Sequence, residues 1–298
     1  MKIKILMIGI FILTMLLSGC GDDEKNSDKD TEKNSTKTEE VAKIPSVPTN
    51  DVIVDDNFSN LQLSEVNKPV FDRHTIWERQ EAGLPMALPP ITEYTQGKVA
   101  YLTFDDGPDD KVTPIILDIL KNYGIKATFY VCGNMVETYP NVLRRIYEEG
   151  HAIGNHSYNH VYKELYPSTD NFLKQISYTD EIIKEVIGVR PLIIRTPGGR
   201  VGMWTPDYEP LMTACGYVEH DWNVSSEDAT AKKPTPQEII KLIDQQTNKE
   251  HKDGAAIILM HSTAQKANTA AALPGIIKVL VDKGYNFGVV TPMTPQPW

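Results

Sequence analysis

Val99-Ala100-Tyr101-Leu102-Thr103-Phe104-Asp105-Asp106-Gly107 is the stretch on which the reading of this chain turns. Six mostly apolar residues run straight into two carboxylates and a glycine, which reads as a buried strand ending at a turn. Further on, His156-Ser157-Tyr158-Asn159-His160 sets two imidazoles four residues apart. That spacing predicts that both rings lie on one side of a helical turn. One carboxylate and two imidazoles make a three-ligand set for a catalytic zinc-type ion, with a position left open for water and substrate. The second carboxylate is then free to act as a base. A tight turn alone would account for Asp105-Asp106-Gly107-Pro108, since these residue types favour turns. It would not account for the paired histidines downstream, so the combination points to metal-assisted hydrolysis.

Outward from this stretch, short apolar runs alternate with amphipathic ones. Strands are predicted at Val99–Phe104, Ala127–Val131, His151–Gly154, Leu192–Ile194, Gly216–Glu219, Ala255–Met260 and Asn286–Val290. Between them, Pro114–Tyr123 carries Ile115, Ile116, Ile119 and Leu120 at helical spacing. Thr235-Pro236-Gln237-Glu238 is a capping box with proline at the first helical position. A third helix is predicted from about Thr269 to Lys283. Alternation of this kind implies a parallel sheet, and seven strands suggest an α/β fold built as a distorted (β/α)7 barrel. Barrel chemistry sits where strands end. Asp105 and Asp106, His156, Arg195 and His261 all fall at such places.

The start of the chain is of another kind. Lys2 and Lys4 precede an apolar run from Ile5 to Leu17, and the stretch closes Leu17-Ser18-Gly19-Cys20. The apolar run is shorter than the ~20 residues a membrane span needs. It reads as a signal segment over 1–20 whose end resembles the lipobox of bacterial lipoproteins, with Cys20 lipidated; an ordinary secretory signal is the alternative. Residues 21–57 are mostly Asp, Glu, Lys, Asn, Ser and Thr and read as a disordered polar linker. Residues 58–96 hold scattered apolar positions and prolines and read as an irregular extension, followed by the main domain at 97–298. A hydrophobic fraction of 41% with 23% charged residues fits a folded domain. The net charge of -10 argues against nucleic acid as a partner, because phosphate binding needs clustered Lys and Arg. Cys132 and Cys215 are read as buried free thiols, with a disulfide between them as the alternative.

With these residues in view, the chain resembles the polysaccharide deacetylase family, the NodB-homology or carbohydrate esterase family 4 enzymes, from about Lys98 to Pro292. Ile258-Leu259-Met260-His261-Ser262 is a third matching region, whereas those around Arg195 and Asp221–Asp228 depart from the family's pattern. The resemblance implies that Asp106, His156 and His160 hold a divalent metal ion, with zinc favoured and cobalt tolerated. It implies that Asp105 is the general base, Arg195 the residue orienting it, and His261 the general acid. Asp228 is the carboxylate expected to hold His261, with Asp221 as the alternative. Gly198 stands where the family usually has a tyrosine; its N–H can still meet an oxyanion, but an aromatic wall is missing. Trp222 and Leu259 become walls of an acetyl-methyl pocket, or else core residues.

The expected function is removal of N-acetyl groups from a cell-wall or extracellular polysaccharide by an enzyme anchored outside the cytoplasm. Peptidoglycan N-acetylglucosamine is the first expected substrate. Chitin oligomers, exported poly-N-acetylglucosamine and O-acetylated xylan are alternatives. Two rivals differ in class: a catalytically silent glycan-binding lipoprotein, and an amidohydrolase of the same fold acting on small cyclic amides.

Overall fold

The computed structural model describes residues 51–61, 68–93, 95 and 97–297. The signal segment, Cys20 and most of the 21–57 linker lie outside the described residues.

The chain enters through two short strands, β1 (Val52–Ile53) and β2 (Val70–Asp72), and a helix, α1 (Ile76–Glu81). Thr75 and Glu78 close a capping box that starts this helix. This corrects two expectations. Ordered chain begins inside the residues read as linker, and the extension read as irregular carries regular elements. β1 pairs with β2, and β2 pairs antiparallel with β6 (Arg190–Pro191), a strand from the main domain. A buried cluster of Val52, Val54, Phe58, Leu61, Val70, Leu192 and Met293 seals this sheet against the domain. Strands of two or three residues are too short to show alternation in the sequence.

The main sheet comprises β3 (Val99–Asp105), β4 (Thr128–Val131), β5 (Ala152–Asn155), β7 (Ile193–Ile194), β8 (Val218–Glu219), β9 (Val224–Ser225), β10 (Ala255–His261) and β11 (Asn286–Gly288). Its order is β8-β7-β5-β4-β3-β10-β9, all neighbours parallel, with β11 pairing on β3 beside this path. Seven strands therefore make the distorted barrel, as expected, but their membership differs. Val224–Ser225 supplies the seventh position, and the predicted 286–290 strand is a three-residue addition that shares the edge of β3 with β4.

Alternation along the two longest strands divides the core. Ala100, Leu102, Phe104, Ala256, Ile258 and Met260 face outward into the main buried cluster with helix residues. Those helix residues come from α2 (Val112–Tyr123), α3 (Gly133–Thr138), α4 (Pro140–Glu148), α6 (Thr169–Ile187), α8 (Pro236–Gln246) and α9 (Ala267–Asp282). Val99, Tyr101, Ala255 and Ile257 face inward with Tyr130, Ile193 and Val290. The inward set continues along the strands as Thr103 and Asp105 on β3, and as Leu259 and His261 on β10. Helix α5 (Tyr162–Leu165) and α7 (Tyr208–Ala214) cover the β7–β8 side. Cys132 and Cys215 are free and buried, so no disulfide joins them.

A buried ion network ties the extension to the barrel. Asp72 accepts from Arg79 Nε at 2.6 Å and from Arg190 Nη2 at 3.0 Å. Arg190 donates on to the His74 carbonyl at 2.7 Å. All three ion-pair side chains are fully buried.

Candidate active site

The parallel register brings the chemistry together. β3 and β10 pair along their whole length, and His261 is the register partner of Asp105. Side chains in register on adjacent parallel strands leave the sheet on the same face, so both point into the mouth of the barrel. Asn155 pairs with Ile194, and the next residues, His156 and Arg195, leave those strand ends side by side.

Arg195 is fully buried and reaches across the barrel. Its Nη1 donates to Asp105 Oδ1 at 2.9 Å and to Thr103 Oγ1 at 2.6 Å. Its Nε donates to the His220 carbonyl at 2.9 Å. The guanidinium lies 4.1 Å from the centre of the Tyr130 ring, over its face. Glycine at 154 is required here, since a Cβ would sit 2.3 Å from that ring. Burial pushes the Asp105 carboxyl above its ordinary range, and the Arg195 charge works against that shift. With Oδ1 held by Arg195, Oδ2 is directed toward His156, 3.8 Å from its Nε2.

The two histidines meet, though not on a helix. Residues 156–160 form a bend outside any helix, with Ser157 at φ 70° and His160 at φ 57°. Asn155 makes this possible: its Oδ1 accepts from Ser157 N–H at 3.0 Å, while its Nδ2 donates to Asp180 at 2.7 Å. The ring centres come to 5.1 Å from each other by this route. His156 Nδ1 lies 2.8 Å from the Arg195 carbonyl. A carbonyl only accepts, so Nδ1 carries the proton and Nε2 keeps its lone pair for a metal. Burial pushes the His156 imidazole down to about 3, which keeps it neutral and fit to ligate.

Asp106 completes the set. Its Oδ1 is 3.6 Å from His156 Nε2 and 3.7 Å from His160 Nε2. Donors bound to one tetrahedral zinc-type ion stand roughly 3.3–3.6 Å apart. The same Oδ1 is buried and has no hydrogen-bond partner among the described residues. An unpartnered buried carboxylate oxygen facing two imidazole lone pairs is what a divalent cation would satisfy. Among the described residues, Asp106, His156 and His160 are the one group of three or more such side chains close enough to share an ion. Gly107 follows because β10's exit loop crosses there: a Cβ would meet Ser262 Oγ at 2.4 Å.

His261 stands on the opposite side. Its Nδ1 donates to Asp228 Oδ1 at 2.6 Å, and Asp228 Oδ2 accepts from His261 N–H at 2.9 Å and from Thr269 Oγ1 at 2.7 Å. Of the two carboxylates left open by the sequence, Asp228 is the one paired with His261. Asp221 instead accepts from the Arg200 N–H at 3.0 Å. Burial pulls the His261 imidazole down, but the hydrogen bond and charge of Asp228 outweigh it and hold the group above its ordinary value.

Gly198 is exposed at the mouth with φ 84°, and its N–H has no partner among the described residues. Trp222 lies against Gly199, within 3.0 Å of where a Cβ would be, and beside the Arg195 guanidinium. Leu259 is buried two residues before His261 on the same face of its strand, opposite Thr103. Sequence reasoning missed Thr103, Tyr130, Asn155 and Glu219, which position the others. Glu219 Oε1 accepts the Thr196 N–H at 3.3 Å. Thr103 lies inside the first recognised motif and Asn155 adjoins the second, and those positions were the available signal.

Comparison with known proteins gives the family. The Polysaccharide deacetylase family pattern matches residues 92–219. A peptidoglycan-N-acetylglucosamine deacetylase of Bacillus cereus is 34% identical over 200 residues, covering 65% of this chain and 67% of that protein. The chain belongs to the polysaccharide deacetylase family. The solved structure of a carbohydrate esterase family 4 esterase from Streptococcus mutans superposes with a TM-score of 0.62 at 31% identity, covering 71% of this chain and 94% of that one. The peptidoglycan-N-acetylmuramic acid deacetylase PdaC of Bacillus subtilis is 36% identical over 65% of this chain and 38% of its own length. Polysaccharide deacetylases are generally metal-dependent, and the Asp106–His156–His160 triad is where this member could hold its ion.

Proposed function

We propose that this polysaccharide deacetylase removes acetyl groups from cell-wall glycan outside the cytoplasm, acting first on the N-acetylglucosamine of peptidoglycan. One observation carries the reading. A carboxylate oriented by arginine, a cluster of three candidate metal donors and a carboxylate-held imidazole converge on one barrel mouth.

Asp106, His156 and His160 would hold the ion, zinc by donor type with cobalt as a substitute. A divalent ion there supplies Lewis acidity, making water a better nucleophile and the acetyl carbonyl a better electrophile. The chain's own groups do the rest. Asp105, kept in place by Arg195, takes a proton from the attacking water. The Gly198 N–H donates to the carbonyl oxygen as it gains negative charge. His261 gives its Nε2 proton to the nitrogen as the carbon–nitrogen bond breaks, and Asp228 stabilises the cationic form of His261 until then. Water and amide are consumed, and acetate and a glucosamine unit are released. Trp222 and Leu259 are placed to border the acetyl methyl.

The signal segment and Cys20 support a lipid anchor, and the polar stretch after them supports a tether. Among the described residues no helix is long and apolar enough to cross a membrane.

The substrate is tested by incubating the purified protein with peptidoglycan, chitin tetramer and acetylated xylan and measuring acetate. Mass spectrometry of the muropeptides then places each loss. Loss of acetyl from glucosamine residues is the expected result. Loss confined to muramic acid would move the substrate to that of the PdaC relative, and release only from xylan would make the enzyme an O-esterase.

A further inference from the structure

Gly198 and Tyr162 contend for one place in the mouth of the site. A Cβ added at Gly198 would lie 2.6 Å from Tyr162 Oη and 3.1 Å from its Cζ. The space beside the Gly198 N–H is therefore filled by a phenol brought from a different loop. Tyr162 opens α5, two residues after His160, and its ring lies 5.4 Å from that imidazole at an interplanar angle of 39°. The neighbouring Tyr166 packs edge-on against it at 5.7 Å. Tyr166 also donates from its hydroxyl to the Pro197 carbonyl at 2.5 Å, which ties α5 to the Gly198 loop. The phenol is thus fixed between the Asp106–His156–His160 cluster and the Gly198 N–H.

Packing does not explain the rest of Tyr162. The residue is 42% exposed, and its hydroxyl makes no hydrogen bond to a described residue. A rigid ring with a free polar tip, held open beside reacting groups, suits contact with a sugar, which offers an apolar face and hydroxyls at its edge. We propose that Tyr162 positions the acetamido sugar, its ring packing on the pyranose face and its hydroxyl bonding to the sugar's polar edge. It would supply from α5 the aromatic wall that position 198 lacks. This inference rests on the deacetylase reading above.

The test is steady-state acetate release from a soluble N-acetylglucosamine tetramer by wild type, Y162F and Y162A, with bound metal measured in each. Y162A is expected to raise KM roughly tenfold or more while kcat changes far less and metal content matches wild type. Y162F keeps the ring and should fall between the two, with KM raised by roughly 2- to 13-fold for one neutral hydrogen bond. An unchanged KM in Y162A would overturn the proposal. So would loss of metal with a fall in kcat alone, which would make Tyr162 a buttress for His160. Y162F covers the case in which Y162A fails to fold. No acetate from wild type on any glycan would overturn the deacetylase reading itself, a result distinct from an active wild type with an indifferent Tyr162.

Discussion

Replacing Asp228 by Asn changes one charge and almost no volume, and the structure says what should follow. Asp228 Oδ2 accepts two hydrogen bonds, from His261 N–H and Thr269 Oγ1, while Oδ1 accepts from His261 Nδ1. In the variant the amide oxygen must take the Oδ2 place, where two donors converge. The NH2 group then faces His261 Nδ1 and donates to it, so the imidazole turns to its other tautomer and loses its counter-charge. The cost is that of one charge-assisted hydrogen bond, about 1.5–3 kcal/mol. If that support is needed only while His261 carries its proton toward the amine, kcat should fall roughly 10- to 150-fold. The pH profile gives an independent reading. Asp228 holds the His261 pKa above its ordinary value, and a general acid must be protonated to act. Removing the charge lowers that pKa, so the alkaline limb of kcat against pH should move to lower pH. Acetate release measured across pH in wild type, Asp228→Asn and Asp221→Asn decides it. Asp221→Asn should leave the limb where it is, because Asp221 accepts from Arg200 N–H and not from His261. A kcat within twofold of wild type and an unmoved limb in Asp228→Asn would refute the assignment of His261 as the acid.

Two further outcomes follow from other parts of the molecule. Asp72→Ala leaves the buried Arg79 guanidinium without a carboxylate and Arg190 with Asp180 alone, and should cost about 3–5 kcal/mol in urea unfolding. A loss below about 1 kcal/mol would mean the extension is held by its apolar contacts instead. Cys20→Ser should abolish incorporation of radiolabelled palmitate and release the protein from the membrane fraction; unchanged labelling would rule the anchor out.

The parts of the fold that could be read from sequence are those with enough residues to show a period. β3 and β10 each run seven residues and end at chemistry, so both strands and their functional ends were legible. β9 is two residues long and β11 covers only part of the predicted 286–290 run, so the membership of the barrel was not. The extension shows no regular element in its sequence because its sheet is completed by Arg190–Pro191, more than a hundred residues away. The histidine pair shows a different failure. A spacing of four suggested a helix, yet Ser157 and His160 adopt positive φ, held by an Asn155 side chain that periodicity cannot weigh. The choice between Asp221 and Asp228 likewise depended on where β9 and β10 place their ends, a matter of register and not of spacing. The occupant of the space beside Gly198 came from the sequence neighbourhood of His160, so reading the Gly198 loop alone could reveal only a missing side chain.

In the proposed mechanism two adjacent carboxylates do different work, Asp105 as base and Asp106 as metal ligand. The direct test measures metal content and acetate release together in Asp105→Asn and Asp106→Asn, with and without added zinc. Asp105→Asn leaves Asp106, His156 and His160 in place. It should bind metal like wild type and lose about 10²–10⁴-fold in kcat, with no recovery on adding zinc. Asp106→Asn should lose metal and regain part of its activity when zinc is in excess. Rescue of Asp105→Asn by metal, with full occupancy in Asp106→Asn, would mean that the two roles are exchanged. Unimpaired acetate release by both variants would contradict the account as a whole.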